Sequence, residues 1–201
     1  MPTETEIKIR LGSAGQVNAV LSRCAKLYGR GIELSQRDEY FDTVDELLKA
    51  KDFTVRLRMV NEKMMIALKG PRAIFEDAIH TRLELEFSVS NEDEVRNTIK
   101  RQNLVPTTIV EKRRQEFTRD DLHVAVDSLP FIGSFLEVEA PTRERISKVL
   151  NVLQVDSANA VKENYTELLE QRLVVLGLPI RPNLNATFQK EKEFLNEATT
   201  I

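Results

Sequence analysis

Charged and apolar side chains alternate along Glu4-Thr5-Glu6-Ile7-Lys8-Ile9-Arg10-Leu11. Neighbouring side chains on a strand point to opposite faces, so Glu4, Glu6, Lys8 and Arg10 share one face and Ile7, Ile9 and Leu11 the other. The same period of two recurs in Thr54 to Met59, Met64 to Lys69, Thr81 to Phe87, Ile109 to Phe117, His123 to Leu129 and Ser134 to Glu139. It places Arg56 with Arg58, Glu84 with Glu86, Lys112 with Arg114, and Glu137 opposite Leu136 and Val138. A further strand is predicted near Arg37 to Thr43, and Asn61-Glu62 reads as a hairpin turn.

Between these strands the period changes to that of helices. Ser13 can cap a helix to about Tyr28 that Gly29 and Gly31 end, and Asp45 to Lys51 forms a turn or short helical segment. Ser90 and Asp93 sit at capping positions for a helix to about Gln102. Two more helices run from Thr142 to about Leu153 and from Asn159 to about Leu176. Pro179 and Pro182 then break the chain. This organisation predicts one domain over residues 1–176 and a polar tail over residues 177–201 that packs loosely or not at all.

At 201 residues, with 41% apolar and 30% charged side chains, the chain can bury one substantial core as a soluble globular protein. A net charge of −3 excludes a general electrostatic attraction to nucleic acid or membrane surfaces, so any polyanion site must come from local segregation of charge. The one cysteine, Cys24, lies among Val17, Val20, Leu21 and Leu27 and reads as a core thiol. With no signal-peptide pattern and no apolar run of membrane-spanning length, a cytoplasmic protein is expected.

The apolar strand faces need covering, and the amphipathic helices can supply it from outside. On an open sheet the charged faces would merely be wet. In a closed barrel, Glu4, Glu6, Glu84, Glu86, Glu137 and Glu139 would share an interior with Lys8, Arg56, Arg58, Lys69, Lys112 and Arg114. Carboxylates brought together this way raise one another's pKa unless a cation sits among them. Such oxygen-rich clusters suit Mg2+ or Mn2+, and the cations opposite suit a highly charged phosphate chain.

Glu4-Thr5-Glu6-Ile7-Lys8 reads as an ExExK signature. It is followed in order by Asp38-Glu39-Tyr40-Phe41-Asp42-Thr43, Arg56-Leu57-Arg58, Leu68-Lys69-Gly70-Pro71, Arg82-Leu83-Glu84-Leu85-Glu86, Glu111-Lys112-Arg113-Arg114, Val126-Asp127 and Gly133 to Glu139. This ordered set, with Asn164-Tyr165-Thr166-Glu167-Leu168-Leu169 as a closing helix, resembles the CYTH superfamily of triphosphate tunnel metalloenzymes. That superfamily includes class IV adenylate cyclases, thiamine triphosphatases and inorganic triphosphatases. The resemblance implies an α+β fold, a closed antiparallel eight-stranded barrel forming a tunnel with helices outside. By position it makes Glu4, Glu6 and Glu139 metal-binding carboxylates, and Lys8, Arg56, Arg58, Lys69, Lys112 and Arg114 triphosphate-binding cations. Glu84, Glu86, Asp127 and Glu137 match acidic positions, either as further metal or catalytic groups or as ion-pair partners of the cations. Here only Met1-Pro2-Thr3 precedes the signature, where the bacterial cyclases carry a His-Phe pair.

The leading expectation is therefore a Mg2+- or Mn2+-dependent enzyme acting on a triphosphate-containing small molecule, with no nucleic-acid or membrane partner and with a homodimer among the open assemblies. Glu4, Glu6, Glu137 and Glu139 are the catalytic candidates, and Glu4, Glu6, Glu139 and Asp127 the metal candidates. Hydrolysis of the terminal phosphate leads, with inorganic triphosphate serving at least as well as ATP. Cyclisation of ATP to cyclic AMP is the alternative. A non-catalytic polyphosphate or nucleic-acid binder ranks third, because it would not need the carboxylate constellation. His80 and His123 are assigned no catalytic role.

Overall fold

The computed structural model describes residues 3–180 and 183–198; Met1 and Pro2, and Pro182, where the sequence predicts a break, lie outside the described residues. The chain opens with β1 (Thr3–Leu11), α1 (Ala14–Tyr28), β2 (Ile32–Asp42), the short α2 (Leu47–Ala50), β3 (Thr54–Val60), β4 (Lys63–Lys69), β5 (Ala73–Ile74) and β6 (His80–Val89). It continues through α3 (Glu92–Arg101), β7 (Val105–Arg119), β8 (Leu122–Leu129), β9 (Gly133–Glu139), α4 (Arg143–Leu153), a 3-10 turn at Ser157–Asn159, α5 (Tyr165–Val175), β10 (Leu184–Ala186) and α6 (Phe188–Ala198).

Eight antiparallel strands close on themselves in the order β1-β9-β8-β7-β2-β3-β4-β6, and β6 returns to β1. Glu6 faces Glu139 across one side of β1 and His80 across the other. The closed alternative is thus the one the chain adopts. The apolar faces point outward under helices. Ile7, Ile9, Val124, Val126, Leu136 and Val138 pack against Val20 and Cys24 of α1 and against Ile146, Val149, Leu150 and Leu153 of α4. Ile99 of α3 meets Phe41 and Leu57 on the far wall. Cys24 is the buried core thiol expected of it, and burial pushes its pKa up to about 11. Among the described residues no helix is long and apolar enough to cross a membrane.

Three local expectations change. Asn91, not Ser90 or Asp93, caps α3, accepting from the Glu94 N–H at 3.2 Å. The helix expected from Asn159 starts at Tyr165. Before it, Val161 N donates to Lys8 O at 2.9 Å and Ala160 bridges Ile9, so this segment is held extended against β1. Asn164 and Glu167 then form a reciprocal capping box that starts α5. Strand β2 begins at Ile32, ahead of the predicted Arg37, because Ile32 to Gln36 pair with Glu116 to Lys112.

The tail is docked over β10 and α6. Strand β7 spans 15 residues, yet β8 pairs only with Arg113 to Arg119, which leaves the edge near Thr108 to Val110 open. Leu184 to Ala186 fill it as a parallel strand. An unpaired buried edge is costly, and the tail satisfies it. Leu184 and Ala186 are buried with Val110, Phe135 and Leu169, and Glu191 of α6 accepts from Phe131 N at 2.6 Å. Leu184→Ala should therefore cost about 2–3 kcal/mol, by analogy with buried leucine truncations, read as a lower denaturation midpoint at unchanged slope. A change within a few tenths of a kcal/mol would mean that the tail packs weakly after all.

Candidate active site

The barrel encloses a cavity of about 1130 Å³. Every predicted cation lines it (Lys8, Arg56, Arg58, Lys69, Lys112 and Arg114), as do Glu4, Glu6, Glu84, Glu86, Glu137 and Glu139. One end opens past the exposed hairpin Asn61-Glu62, and at the other Asn164, Tyr165 and Thr166 at the start of α5 reach the lumen.

Most of the cations are braced from behind. Asp38 takes a two-pronged contact from Arg58, both at 2.7 Å, and Arg56 lies 3.7 Å away. Asp127 does the same for Arg114, both contacts at 2.8 Å, and also accepts from Lys112 at 3.1 Å and from the Tyr165 hydroxyl at 2.9 Å. Arg114 reaches Glu137 as well, and Lys8 lies 3.7 Å from it. Burial opposes ionisation of Asp38, but Arg58 and Arg56 overcome it and hold its carboxyl well below the usual range. Burial and Arg114 together bring Lys112 down to about 8. Lys8, Arg56, Arg58, Lys112 and Arg114 thus meet Asp38, Asp127 and Glu137, with Glu86 3.4 Å and Glu84 3.9 Å from Arg56. This half of the lumen gathers the cations.

The other half gathers carboxylates around Lys69 and Arg82, whose Nε lies 3.4 Å from Glu4. Lys69 lies 3.0 Å from Glu4 and 2.8 Å from Glu84, and His80 Nε2 is 2.9 Å from Glu6. The Glu4 and Glu84 carboxyls hydrogen-bond to each other. Burial, that bond and the charge of Glu6 push Glu4 up to about 9. Burial alone would raise Glu84 too, but the bond from Glu4 and the charge of Lys69 hold it at about 2. Glu139 is raised by burial and by Glu6 and Glu84, although His123 and Lys69 oppose this. Glu6 is brought down to about 2 because the His80 hydrogen bond, with Lys8 and Lys69, overcomes its burial.

A carboxylate cluster that must retain a proton is one with room for a further cation. Its donors are all oxygens, the chemistry of a hard divalent ion. Among the described residues no three Asp, Glu, His or Cys side chains converge on one point. A cation here would draw Glu4, Glu6 and Glu139 from their present partners.

Sequence reasoning placed the lining correctly and left some members without a role. Asp38 was visible only as part of a motif, and its role as a brace depends on its register opposite Arg58. Asp127, one of the predicted metal candidates, is fully buried, lies outside the cavity lining and has cations and a phenol as partners, which is the ion-pair role. His80 is buried beside Glu6. Tyr165 carries Lys8 at 4.3 Å and Lys112 at 5.3 Å from its ring centroid while its hydroxyl holds Asp127.

A closed barrel with opposed acidic and basic walls around a solvent-accessible lumen defines a charge-lined tunnel. The chain belongs to the CYTH family: the CYTH domain model matches residues 2–162. A Methanocaldococcus jannaschii protein named a putative adenylate cyclase is 24% identical over 175 residues, covering 82% of this chain and 97% of its own. A Vibrio parahaemolyticus structure, also named a putative adenylate cyclase, has a TM-score of 0.71 at 19% identity, covering 83% of this chain and 97% of that one. A Hippeastrum protein, named a putative adenylyl cyclase and described as having a dominant triphosphatase activity, has a TM-score of 0.65 at 16% identity, covering 89% and 99%. These distant likenesses establish the shared fold.

Because Lys112 is brought down to about 8, it is charged in the free protein at pH 6 and largely neutral at pH 9. Tripolyphosphate binding without metal should weaken as pH rises through 8, and Lys112→Arg, which stays charged, should flatten that fall. Calorimetric titration of both proteins from pH 6 to 9 checks this; parallel curves would contradict it.

Proposed function

We propose that this protein is a divalent-metal-dependent triphosphatase that hydrolyses the terminal phosphoanhydride of a triphosphate bound in the tunnel. The observation that carries the reading is the segregation of charge within one enclosed lumen: Lys8, Arg56, Arg58, Lys112 and Arg114 on one wall, and Glu4, Glu6, Glu84 and Glu139 around Lys69 on the other.

Lys8, Arg56, Arg58, Lys112 and Arg114 hold the phosphate chain extended. Their braces Asp38, Asp127 and Glu137 fix the cation positions, so little reorganisation is needed when charge shifts toward the leaving oxygens. Glu4, Glu6 and Glu139 would hold Mg2+ or Mn2+, which supplies charge neutralisation for the phosphate oxygens. Glu139, opposite Glu6 across β1 and β9, also orients the attacking water. Water oxygen bonds to the terminal phosphorus and passes a proton to Glu139, the bridging P–O bond breaks, and the shortened phosphate chain leaves with the bridging oxygen. Phosphoryl transfer depends on this kind of positioning more than on covalent chemistry.

The three relatives named as putative adenylate or adenylyl cyclases support a second reading, in which the ribose 3′-hydroxyl attacks the α-phosphorus of ATP and pyrophosphate leaves. Products decide between them. With ATP and Mg2+ or Mn2+, the triphosphatase yields ADP and phosphate, whereas cyclic AMP and pyrophosphate as the main products would establish the cyclase.

Glu6→Gln should lower kcat at least 100-fold at limiting Mg2+ and, because its depressed pKa marks the Glu6 charge as stabilising, melt lower than the wild type at neutral pH; undiminished turnover would remove Glu6 from the site. Glu4→Gln tests the protonated carboxyl. A folded-state pKa raised from 4.5 to about 9 means that the wild type loses stability as pH climbs through that window, while glutamine cannot ionise. The variant should match the wild type near pH 5 and melt progressively higher toward pH 9. A constant offset between the two melting curves would show that Glu4 does not carry that proton.

A further inference from the structure

The two carboxylates that open the signature are each answered, residue for residue, by β6. Glu4 pairs across the strands with Arg82, and Glu6 with His80. The two answers differ. Arg82 Nε stands 3.4 Å from Glu4 and has no hydrogen-bond partner, whereas His80 Nε2 stands 2.9 Å from Glu6 Oε1 and donates to it. A carboxylate only accepts, so this N–H occupies one of the two Glu6 oxygens.

His80 is held in place by its surroundings. It is 4% exposed and begins β6 between β1 on one side and Ile74 of β5 on the other. Its second ring nitrogen, Nδ1, is buried without a hydrogen-bond partner. That costs free energy which a phenyl ring of similar shape would avoid, so packing alone does not call for an imidazole here. The bond to Glu6 is what histidine adds. An oxygen tied to a buried N–H is withheld from a metal ion. A cation that draws Glu6 from Lys8 and Lys69 therefore does so through the second oxygen, with the His80 bond kept. Mg2+ accepts single oxygens in a tight octahedron, whereas the larger Ca2+ takes more oxygens and commonly grips both oxygens of one carboxylate.

We infer that His80 is a positioning residue that holds Glu6 to one-oxygen coordination, and so makes the acidic half of the lumen favour Mg2+ over Ca2+. The inference rests on the divalent-metal reading above, in which Glu6 is a ligand. His80 touches neither metal nor phosphate and acts only through Glu6, as hydrogen-bond partners of metal-binding carboxylates do.

Free Mn2+ has a strong electron paramagnetic resonance signal that weakens on binding, so displacement of Mn2+ from the full chain by Mg2+ or Ca2+ reads both affinities without turnover. His80→Phe keeps the ring and loses the N–H, and should lower the preference for Mg2+ over Ca2+ about tenfold. His80→Asn, whose amide ends near the Nδ1 position and falls short of Glu6, should do the same and serves if the phenylalanine variant does not fold. His80→Gln, whose amide reaches the Nε2 position, should keep the wild-type preference within about twofold. Both affinities are read on one sample, so a reduced folded fraction leaves their ratio unchanged. An unaltered ratio in His80→Phe and His80→Asn, or an equal fall in His80→Gln, would overturn the positioning role and leave the metal reading standing. A wild type that binds no Mn2+ would overturn the metal reading, and the inference with it.

Discussion

Closure of the barrel at β1 is the constraint on which the rest of the structure depends, because it converts charged strand faces that could have been solvated into the walls of a lumen. Strand β1 pairs with β9 along Glu6 to Leu11 and with β6 along Thr3 to Glu6. Without the second pairing, Glu4 and Lys69 would face water and their contact would be worth little. With it, both are buried or nearly so, and each interior charge has to be answered by a neighbour. Two braced arginine pairs and one shared proton between glutamates are how this interior answers them.

The inversion of inside and outside follows from the same closure. A lumen filled with charge cannot supply the hydrophobic core, so the core lies between the barrel and its outer helices. Most of it is gathered under α1 and α4, where the outward residues of β1, β8 and β9 meet a continuous helical surface. A second apolar cluster sits where Tyr165, Leu168 and Leu169 of α5 meet Val110 and Phe135, and β10 seals its edge. Packing at this end is coupled to chemistry through Tyr165, whose ring lies under Lys8 and Lys112 while its hydroxyl holds Asp127. One side chain therefore belongs both to the core and to the site.

The electrostatics of the lumen describe an interior prepared for ligands. Burial acts on every ionisable group in it, but the outcome depends on neighbours: it prevails at Glu4 and Lys112 and is overcome at Glu6, Glu84 and Asp38. A cation among the carboxylates and a polyanion among the arginines and lysines would answer the two segregated sets of charge together. Two such ligands would be thermodynamically linked, since each would remove charge repulsion that opposes the other.

The period-two pattern by itself determined which residues share a face, and the ordered motifs, through their resemblance to the CYTH family, implied the barrel and its charged lining. Which residues share a face is a local property of side-chain alternation, independent of what a strand later touches. Whether the charged faces enclosed a lumen or met solvent was a matter of long-range strand pairing, which no local pattern encodes. The same limit explains the particular misses. Asp38 and Asp127 became braces through their registers opposite Arg58 and Arg114, and the start of α5 was set by backbone contacts from residues 160 and 161 to β1. The tail residues Leu184 to Ala186 look unremarkable in sequence because their partner is an edge of β7 exposed only where β8 stops short. His80 is an ordinary polar residue in the chain, and only the closing pair of β1 with β6 sets its ring against Glu6.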